Sequence, residues 1–282
     1  MTVVAMTSCK GSPGVTTLAC LVAASWPVDR RPVVVECDPA GGDLTARYAL
    51  SGGTGWTSLL AAVRRPGAET SLDDHLQQLP GGLDVLVGHV ADSSASWSVD
   101  IQDRAERTVA ACSPPVDLIV DLGRLPERGR DVSPWMARAD RVCLVSGSDA
   151  ASAMHVLARS ESVVSWGRGR VGLVAVGRGA YRAREIERLS GIPVLSEVPY
   201  DPEAAAVVTD GVGSSRRLAR SGLVAAARRL AGALASDGDL SGVVSDPPGG
   251  APSMSGATDS GLAAVPDRAP TGGPARATGE EQ

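Results

Sequence analysis

Short apolar runs alternate along the chain with stretches in which apolar residues recur every three or four positions. Apolar runs bounded by Gly, Pro or charged residues are typical of buried strands, and the three-to-four spacing is typical of helices. The pattern predicts strands at residues 3–7, 32–36, 83–87, 118–121, 142–145, 171–176 and 193–195. It predicts helices at residues 16–25, 56–63, 101–111, 150–165, 182–189 and 214–235. This alternation indicates βαβ units and a doubly wound α/β fold with a mainly parallel sheet, which binds ligands beyond the carboxyl ends of its strands.

The composition supports the same fold class and sets the end of the chain apart. The 282 residues include no Phe and 3% aromatic residues, so the core must be built from Val, Leu, Ile and Ala, as in parallel sheets covered on both faces. Residues 237–282 contain seven acidic residues and two arginines, which accounts for the whole net charge of −5. Because this segment is rich in Gly, Pro, Ser, Ala and Thr, we expect a disordered acidic tail after a single domain at residues 1–236.

The cysteines and the lengths of the apolar runs bear on the compartment. The five cysteines have neither CxxC nor Cys/His metal spacing, which is typical of reduced thiols. No apolar run reaches the roughly 18 residues of a membrane span, and the first residues lack the pattern of a signal peptide. We therefore expect a cytoplasmic protein.

Lys10 is the only lysine in the chain, against 26 arginines. It lies between a predicted buried strand and a predicted helix, in the Gly-rich segment Ser-Cys-Lys-Gly-Ser-Pro-Gly-Val-Thr-Thr at residues 8–17. A lysine is a compact charge on a flexible stem, which suits a phosphate in a tight loop. A Gly-rich loop that opens a helix holds phosphate through backbone N–H groups and the helix dipole. The alternative is an ordinary Gly/Pro turn that contains a lysine by chance.

The segment at residues 10–17 resembles the deviant Walker A loop (K-G-G-x-G-K-T-T) of the MinD/ParA family of dimerising P-loop ATPases. Lys10 matches the early signature lysine of that loop, and Val15 replaces the later one. The resemblance implies that Lys10 reaches across a dimer interface to the nucleotide of the partner chain, and that the Thr16 hydroxyl meets Mg²⁺. It assigns the nucleotide-binding loop to Gly11, Ser12, Pro13, Gly14, Val15, Thr16 and Thr17. Since valine carries no charge, ATP hydrolysis is expected to be weak or absent unless an Arg or Lys from elsewhere compensates.

Two further segments resemble the family's switch regions, in the same order along the chain. Residues 33–42 are an apolar strand followed by Glu-Cys-Asp-Pro-Ala-Gly-Gly, which resembles D-x-D-P-x-G. The resemblance gives Asp38 the task of orienting the attacking water and the Mg²⁺ shell, and Glu36 stands in for the first aspartate. The alternative role for Asp38 is to form a turn or cap a helix. Residues 117–123 resemble the Walker B strand and switch II, so Asp121 is expected to contact Mg²⁺ and Gly123 to let the loop move.

The later part of the chain resembles the family's nucleoside-binding segments. Residues 191–201 match G-h-P-h-h-x-x-h-P-Y-D, in which h is an apolar residue, and this places Pro199 and Tyr200 beside the adenine. Arg178 occupies the position where the family usually offers an Asn to the base. The resemblance covers residues 1 to about 235 and implies the cofactors ATP and Mg²⁺.

These features lead to a hypothesis for the function and to one main rival. We expect a MinD/ParA-like, ATP-binding, dimerising switch that helps to place DNA, division machinery or envelope machinery through an unknown protein partner. The rival is a degraded pseudo-ATPase scaffold of the pilus and secretion positioning type (TadZ/CpaE-like). A synthetase or amidotransferase is disfavoured because no extra substrate domain is visible.

The last predicted helix raises the question of DNA binding. Five arginines could form a basic strip for DNA, but four leucines at helical spacing favour a helix that packs on the sheet with solvated arginines. The arginines are Arg216, Arg217, Arg220, Arg228 and Arg229, and the leucines are Leu218, Leu223, Leu230 and Leu234. An acidic, Gly/Pro-rich end would be repelled by an anionic bilayer, so no MinD-type membrane helix is expected.

Overall fold

The computed structural model describes residues 1–11, 13–65, 70–88, 107–109, 116–126, 133–211 and 213–236. Its strands are β1 (Val3–Ser8), β2 (Pro32–Glu36), β3 (Gln77–Leu79), β4 (Leu83–Leu86), β5 (Asp117–Arg124), β6 (Arg141–Gly147), β7 (Val171–Val176) and β8 (Val194–Val198). Its helices are α1 (Val15–Ala24), α2 (Leu44–Arg47), α3 (Trp56–Val63), α4 (Trp135–Arg138), α5 (Ala150–Trp166), α6 (Ala183–Ser190), α7 (Pro202–Thr209), α8 (Ser215–Ala219) and α9 (Gly222–Ala235), with a 3₁₀ turn at Leu72–His75. The predicted tail at 237–282, Ser12, and the predicted helix 101–111 apart from its helical residues 107–109 lie outside the described residues.

The strands of the described chain form one sheet in the order β3–β4–β2–β5–β1–β6–β7–β8. β3 is antiparallel to β4, and every other neighbouring pair is parallel. This confirms the predicted doubly wound, mainly parallel α/β fold. Because β5 lies between β1 and β2, the segments that follow these three strands leave the sheet side by side at one edge.

The two faces of the sheet carry two buried clusters, since side chains alternate between faces along a strand. Val3 and Ala5 of β1 belong to the cluster under α3, α5 and α6, and Val4 and Met6 belong to the cluster under α1, α7 and α9. The central strands are therefore apolar on both faces, which is why they stand out as uninterrupted apolar runs.

The predicted helix 214–235 is wrong in one respect, because the chain forms two helices there. Ser221 interrupts it: its hydroxyl accepts a hydrogen bond from the Val224 N–H at 3.2 Å and donates one to the Leu218 carbonyl at 2.7 Å. A serine in this position caps the start of a new helix, and α9 begins at the next residue, Gly222.

Gly172 on β7 provides a test of how tightly the sheet is covered. A methyl group built on Gly172 would lie 2.2 Å from Leu195 Cγ on β8, which is too close for any real contact. We expect Gly172→Ala to lower the free energy of unfolding by about 1–3 kcal/mol, as overpacked cores do. Gly232→Ala on α9 is the matched control, because nothing lies within 4 Å of its added methyl. Urea denaturation should show that the control gains about 0.5–1 kcal/mol; equal behaviour of the two variants would contradict the packing described here.

Candidate functional site

The loop between β1 and α1 presents backbone groups at the start of a helix. Gly14 is the N-cap of α1 with φ +88°, a left-handed conformation that favours glycine, and no side chain caps this end. The first turn of α1 contains no acidic residue. The N–H groups of this turn have no partner within the helix, so an anion can bind them with the help of the helix dipole. The loop that the sequence predicts to hold phosphate therefore ends at a helix start that is open to an anion.

The two residues that correspond to lysines in the resembling loop lie in opposite environments. Val15 is only 5% exposed and packs into the cluster under α1. Lys10 is exposed, and it is near enough for its charge to act on Asp149 at the start of α5. The Ser152 hydroxyl and N–H hold the pKa of Asp149 low, and the positive charge of Lys10 adds to this effect. Lys10 is thus accessible to a second molecule, whereas Val15 is part of the core.

Asp121 on β5 is a fully buried carboxylate with an unused oxygen. Its Oδ1 accepts a hydrogen bond from the Gly123 N–H at 2.9 Å, and its Oδ2 has no hydrogen-bond partner among the described residues. Burial raises the pKa of Asp121 to about 6, the charges of Glu36 and Asp38 add to the rise, and the neighbouring Thr16 hydroxyl opposes it. An unpartnered buried charge is costly, so this position fits a cation.

Asp38 meets Asp121 across Gly123. The Asp38 Oδ1 accepts a hydrogen bond from the Ala40 N–H at 2.8 Å, which is the turn-forming contact considered from the sequence. Its Oδ2 lies against Gly123, where an added methyl would come within 1.8 Å of it. Burial raises the pKa of Asp38 above its ordinary value. Asp38 therefore both forms the turn and contributes a half-buried carboxylate beside Asp121.

Glu36 has a role that the sequence does not reveal. Its Oε1 accepts hydrogen bonds from the N–H groups of Asp43 at 2.7 Å and Leu44 at 3.0 Å, and its Oε2 accepts one from Gly88 at 2.8 Å. The carboxylate is thus occupied by the backbone and ties the loop after β2 to the loop after β4. Glu36 therefore fixes the segment that carries Asp38, and its charge also contributes to the raised pKa of Asp121.

The carboxylates alone do not form a metal cage. Among the described residues, no group of three or more His, Cys, Asp and Glu side chains is arranged to hold a metal ion. Mg²⁺ is commonly held by one or two carboxylates with phosphate and water oxygens. Asp121, Asp38 and Thr16 at the edge of the phosphate loop fit that donor set.

A cavity of about 250 Å³ lies behind the loop. One wall consists of Pro13, Gly14, Thr17 and Leu18, and the other comes from the end of β8 and from α7. Pro199 and Tyr200, which the resemblance places beside the adenine, are among its lining residues. Arg178 is exposed and lies outside this lining, although the sequence placed it beside the base. The cavity is mainly apolar and adjoins the phosphate loop, as a nucleoside site requires.

The sequence analysis missed the helix that closes this cavity. Thr209 and Asp210 at the end of α7 line its far side. The signal for α7 was present, because Asp201 is followed by a proline: the Asp201 carboxylate accepts a hydrogen bond from the Ala204 N–H at 3.0 Å, and Pro202 occupies the first helical position.

The arginines of the last two helices are all exposed, as the leucine spacing predicts. Leu223, Leu230 and Leu234 are buried against the sheet, and Leu218 is half-buried. Arg217 forms an ion pair with Glu203.

Among the described residues, no helix is long and apolar enough to cross a bilayer.

A scan against protein-family models and a search of curated proteins gave no match. A search of solved structures found similar proteins. A ParA family ATPase from Chlorobium tepidum TLS has a TM-score of 0.64 at 20% identity, over 82% of this chain and 98% of that protein. The MinD cell division protein of Aquifex aeolicus has a TM-score of 0.64 at 14% identity, over 83% of this chain and 96% of that protein. The septum site-determining protein MinD from Pyrococcus horikoshii OT3, complexed with Mg-ADP, has a TM-score of 0.60 at 15% identity, over 82% and 94%.

Each of these likenesses covers more than four fifths of this chain and nearly all of the other protein. At such low identity the common property is the architecture. The chain has the fold of the ParA and MinD ATPases.

Proposed function

We propose that this protein binds ATP with Mg²⁺ and acts as a nucleotide-dependent switch of the MinD/ParA type. The observation that carries the proposal is the buried, unpartnered Asp121 Oδ2 beside Thr16, next to an uncapped helix start and an apolar cavity. Phosphate, metal and base would each find matching chemistry there. The MinD of Pyrococcus horikoshii, which shares the fold, was solved with Mg-ADP, and this supports the choice of ligand.

Different residues of the site would bind different parts of the nucleotide. The backbone from Gly11 to Thr17 would hold the phosphates, and Pro199 and Tyr200 would cover the base. Thr16, Asp38 and Asp121 would hold Mg²⁺, which supplies positive charge to the phosphate oxygens when it is bound. Asp38, half-buried beside the phosphate loop, would also orient a water molecule for attack on the terminal phosphate.

Dimerisation would place Lys10 on the nucleotide of a second chain. Its exposure supports this role, because a side chain that acts across an interface has to be accessible in the single chain. Relaxation of the segments that contain Asp38 and Gly123 after hydrolysis would release the dimer. Turnover is expected to be slow, since Val15 contributes no charge to the phosphates.

The biological role that we propose is the positioning of DNA, division machinery or envelope machinery in the cytoplasm, through a protein partner that is still to be identified. The proposal rests on the shared fold of a ParA family ATPase and of MinD proteins. DNA itself is the weaker candidate for the positioning surface. Residues 1–236 carry no net charge, whereas surfaces that bind DNA are usually basic. The arginines of α9 are exposed because the leucines on its opposite face pack against the sheet.

One observation favours the rival function, a pseudo-ATPase scaffold that keeps the fold but does not turn over. Val15 occupies the position of the later lysine in the resembling loop. Its side chain is buried in the core, so it offers no positive charge to a phosphate. Phosphate release and light scattering, measured on the same sample with Mg²⁺ and ATP, separate the two functions. The switch predicts dimers that form with ATP and decay as phosphate appears. Stable nucleotide-bound protein that releases no phosphate would instead identify the scaffold.

A further inference from the structure

The helix α7 forms one wall of the cavity behind the phosphate loop, but its own packing anchors it only lightly. Of its residues, Pro202–Thr209, only Ala204 is buried. Its last residue and the following Asp210 line the far side of the cavity. The carbonyls in the last turn of a helix have no partner within the helix, so they need one from elsewhere. The position of this wall therefore depends on what binds the end of α7.

Tyr48 makes that contact from a part of the chain 160 residues earlier. Its hydroxyl donates a hydrogen bond to the Val208 carbonyl, in the last turn of α7. Both side chains are half-buried and pack against the cluster under α1, α7 and α9. Burial raises the pKa of Tyr48, so the hydroxyl keeps its proton and can donate it at neutral pH. Asp210 is near enough for its charge to add to this effect.

Tyr48 also belongs to the segment that carries Asp38. It ends the short helix α2, where its N–H donates to the Leu44 carbonyl at 3.0 Å. The start of α2 is fixed by Glu36, whose Oε1 accepts the N–H groups of Asp43 and Leu44. Of the four residues of α2, only Leu44 is buried. The Tyr48 hydroxyl therefore joins two lightly packed segments, the one that follows β2 and the wall of the cavity.

We propose that Tyr48 is a positioning residue that couples the binding of the base to the binding of Mg²⁺. Segments with few buried residues open easily, so each of the two is stabilised by its contact with the other. A base that packs against α7 holds the helix in place, and the Tyr48 hydroxyl transmits this restraint to the segment that carries Asp38. By linkage, Mg²⁺ strengthens the binding of the base by the same factor. Tyr48 lies outside the lining of the cavity, so it acts through α7 rather than by touching the base.

The test rests on the proposed function and compares ATP with inorganic tripolyphosphate, which has no base to contact α7. Calorimetric titrations of the full chain, with and without Mg²⁺, give the factor by which Mg²⁺ tightens the binding of each ligand. The quantity of interest is the factor for ATP divided by the factor for tripolyphosphate. Tyr48→Phe keeps the ring and loses only the hydroxyl. We expect this ratio to be about three- to tenfold smaller in Tyr48→Phe than in the wild type, which is the range that one hydrogen bond can transmit.

Tyr181→Phe is the matched control. Tyr181 is also half-buried, but it packs against the cluster on the opposite face of the sheet, and its variant should keep the wild-type ratio. Suppose that the wild type binds ATP, but that Tyr48→Phe keeps the wild-type ratio or Tyr181→Phe lowers it equally. The role of Tyr48 is then wrong, and the proposed function stands. A merely structural effect of Tyr48→Phe belongs to this case, because it would weaken the Mg²⁺ effect on both ligands alike and leave the ratio unchanged. If the wild type binds no ATP, the proposed function itself fails, and the role of Tyr48 fails with it.

Discussion

Lys10→Ala is expected to abolish ATP-induced dimers while a single chain still binds ATP. The side chain is exposed and outside the lining of the cavity, so its removal leaves the base site intact. In a symmetric dimer each Lys10 would contact the nucleotide of the other chain, and the loss would count twice. Truncating one member of a buried charge pair costs about 2–5 kcal/mol, so two copies should weaken dimerisation by about 1,000-fold or more. Light scattering with Mg²⁺ and ATP measures this directly.

Two control variants show whether the effect belongs to this lysine. Lys10→Arg keeps the charge but replaces a compact ammonium with a planar fork, and it should dimerise only partly. Arg188→Ala removes an exposed cation elsewhere and should dimerise as the wild type does. If Lys10→Ala forms dimers at the same ATP concentration as the wild type, Lys10 does not act at the dimer interface.

Asp121→Asn is expected to stabilise the nucleotide-free protein and to remove the effect of Mg²⁺ on ATP binding. The carboxylate is fully buried with one oxygen unpartnered, so its charged form is costly in the folded state. The pKa of Asp121 rises from 3.8 to about 6, which corresponds to a penalty of about 1–3 kcal/mol at neutral pH. Asparagine has no charge to bury. Denaturation at pH 8 should therefore show that the free energy of unfolding of Asp121→Asn is higher than that of the wild type by this amount. The same change removes an oxygen ligand of Mg²⁺.

The pH dependence of this gain follows from the direction of the pKa shift. The folded protein holds the proton of Asp121 more tightly than the unfolded chain, so between pH 6 and pH 4 the folded state binds more protons. The penalty is therefore complete above pH 6 and disappears as the pH falls to about 4, where the variant and the wild type should converge. A gain that stays constant from pH 8 to pH 4 would contradict a buried, charged Asp121.

Asp117, at the other end of the same strand, provides the matched control. It is also buried, but it accepts hydrogen bonds from the Trp26 ring at 2.7 Å and the Thr2 N–H at 2.6 Å, and it is paired with Arg30 at 2.5 Å. Asp117→Asn should lower the free energy of unfolding by about 1–3 kcal/mol, because it weakens satisfied contacts. The two substitutions on β5 are thus expected to change the free energy of unfolding in opposite directions.

The sequence predicts the central strands well because they are buried on both faces and form continuous apolar runs. β2 and β7 have the predicted bounds, and β1, β5 and β6 differ by a few residues. The edge strand β3 was missed, since Gln77 and Gln78 give it no apolar pattern. The break at Ser221 was missed for the opposite reason, because the leucine spacing continues across it. An apolar pattern indicates which residues are buried, but it does not indicate an edge strand or the cap of a helix.

The sequence points to those candidate site residues that a Gly-rich loop or an apolar strand marks. Gly14 and Thr16 lie in a strand–loop–helix segment, Asp38 follows the apolar strand β2, and Asp121 lies in the apolar strand β5 beside it. The positions of Tyr48 on the Val208 carbonyl and of Glu36 on backbone N–H groups depend on the packing of neighbouring helices and loops. No local pattern encodes such contacts, so only the structure reveals them.

Calorimetric titration with ATP, with and without Mg²⁺, tests the central claim most directly. If the loop before α1 holds phosphate and Asp121 receives the metal, the protein should bind one ATP per chain, and Mg²⁺ should tighten the binding by about tenfold or more, as expected for a contact between a carboxylate and a metal ion. Asp121→Asn should bind ATP equally in both conditions. The absence of any binding heat at millimolar ATP with Mg²⁺ present would contradict the account.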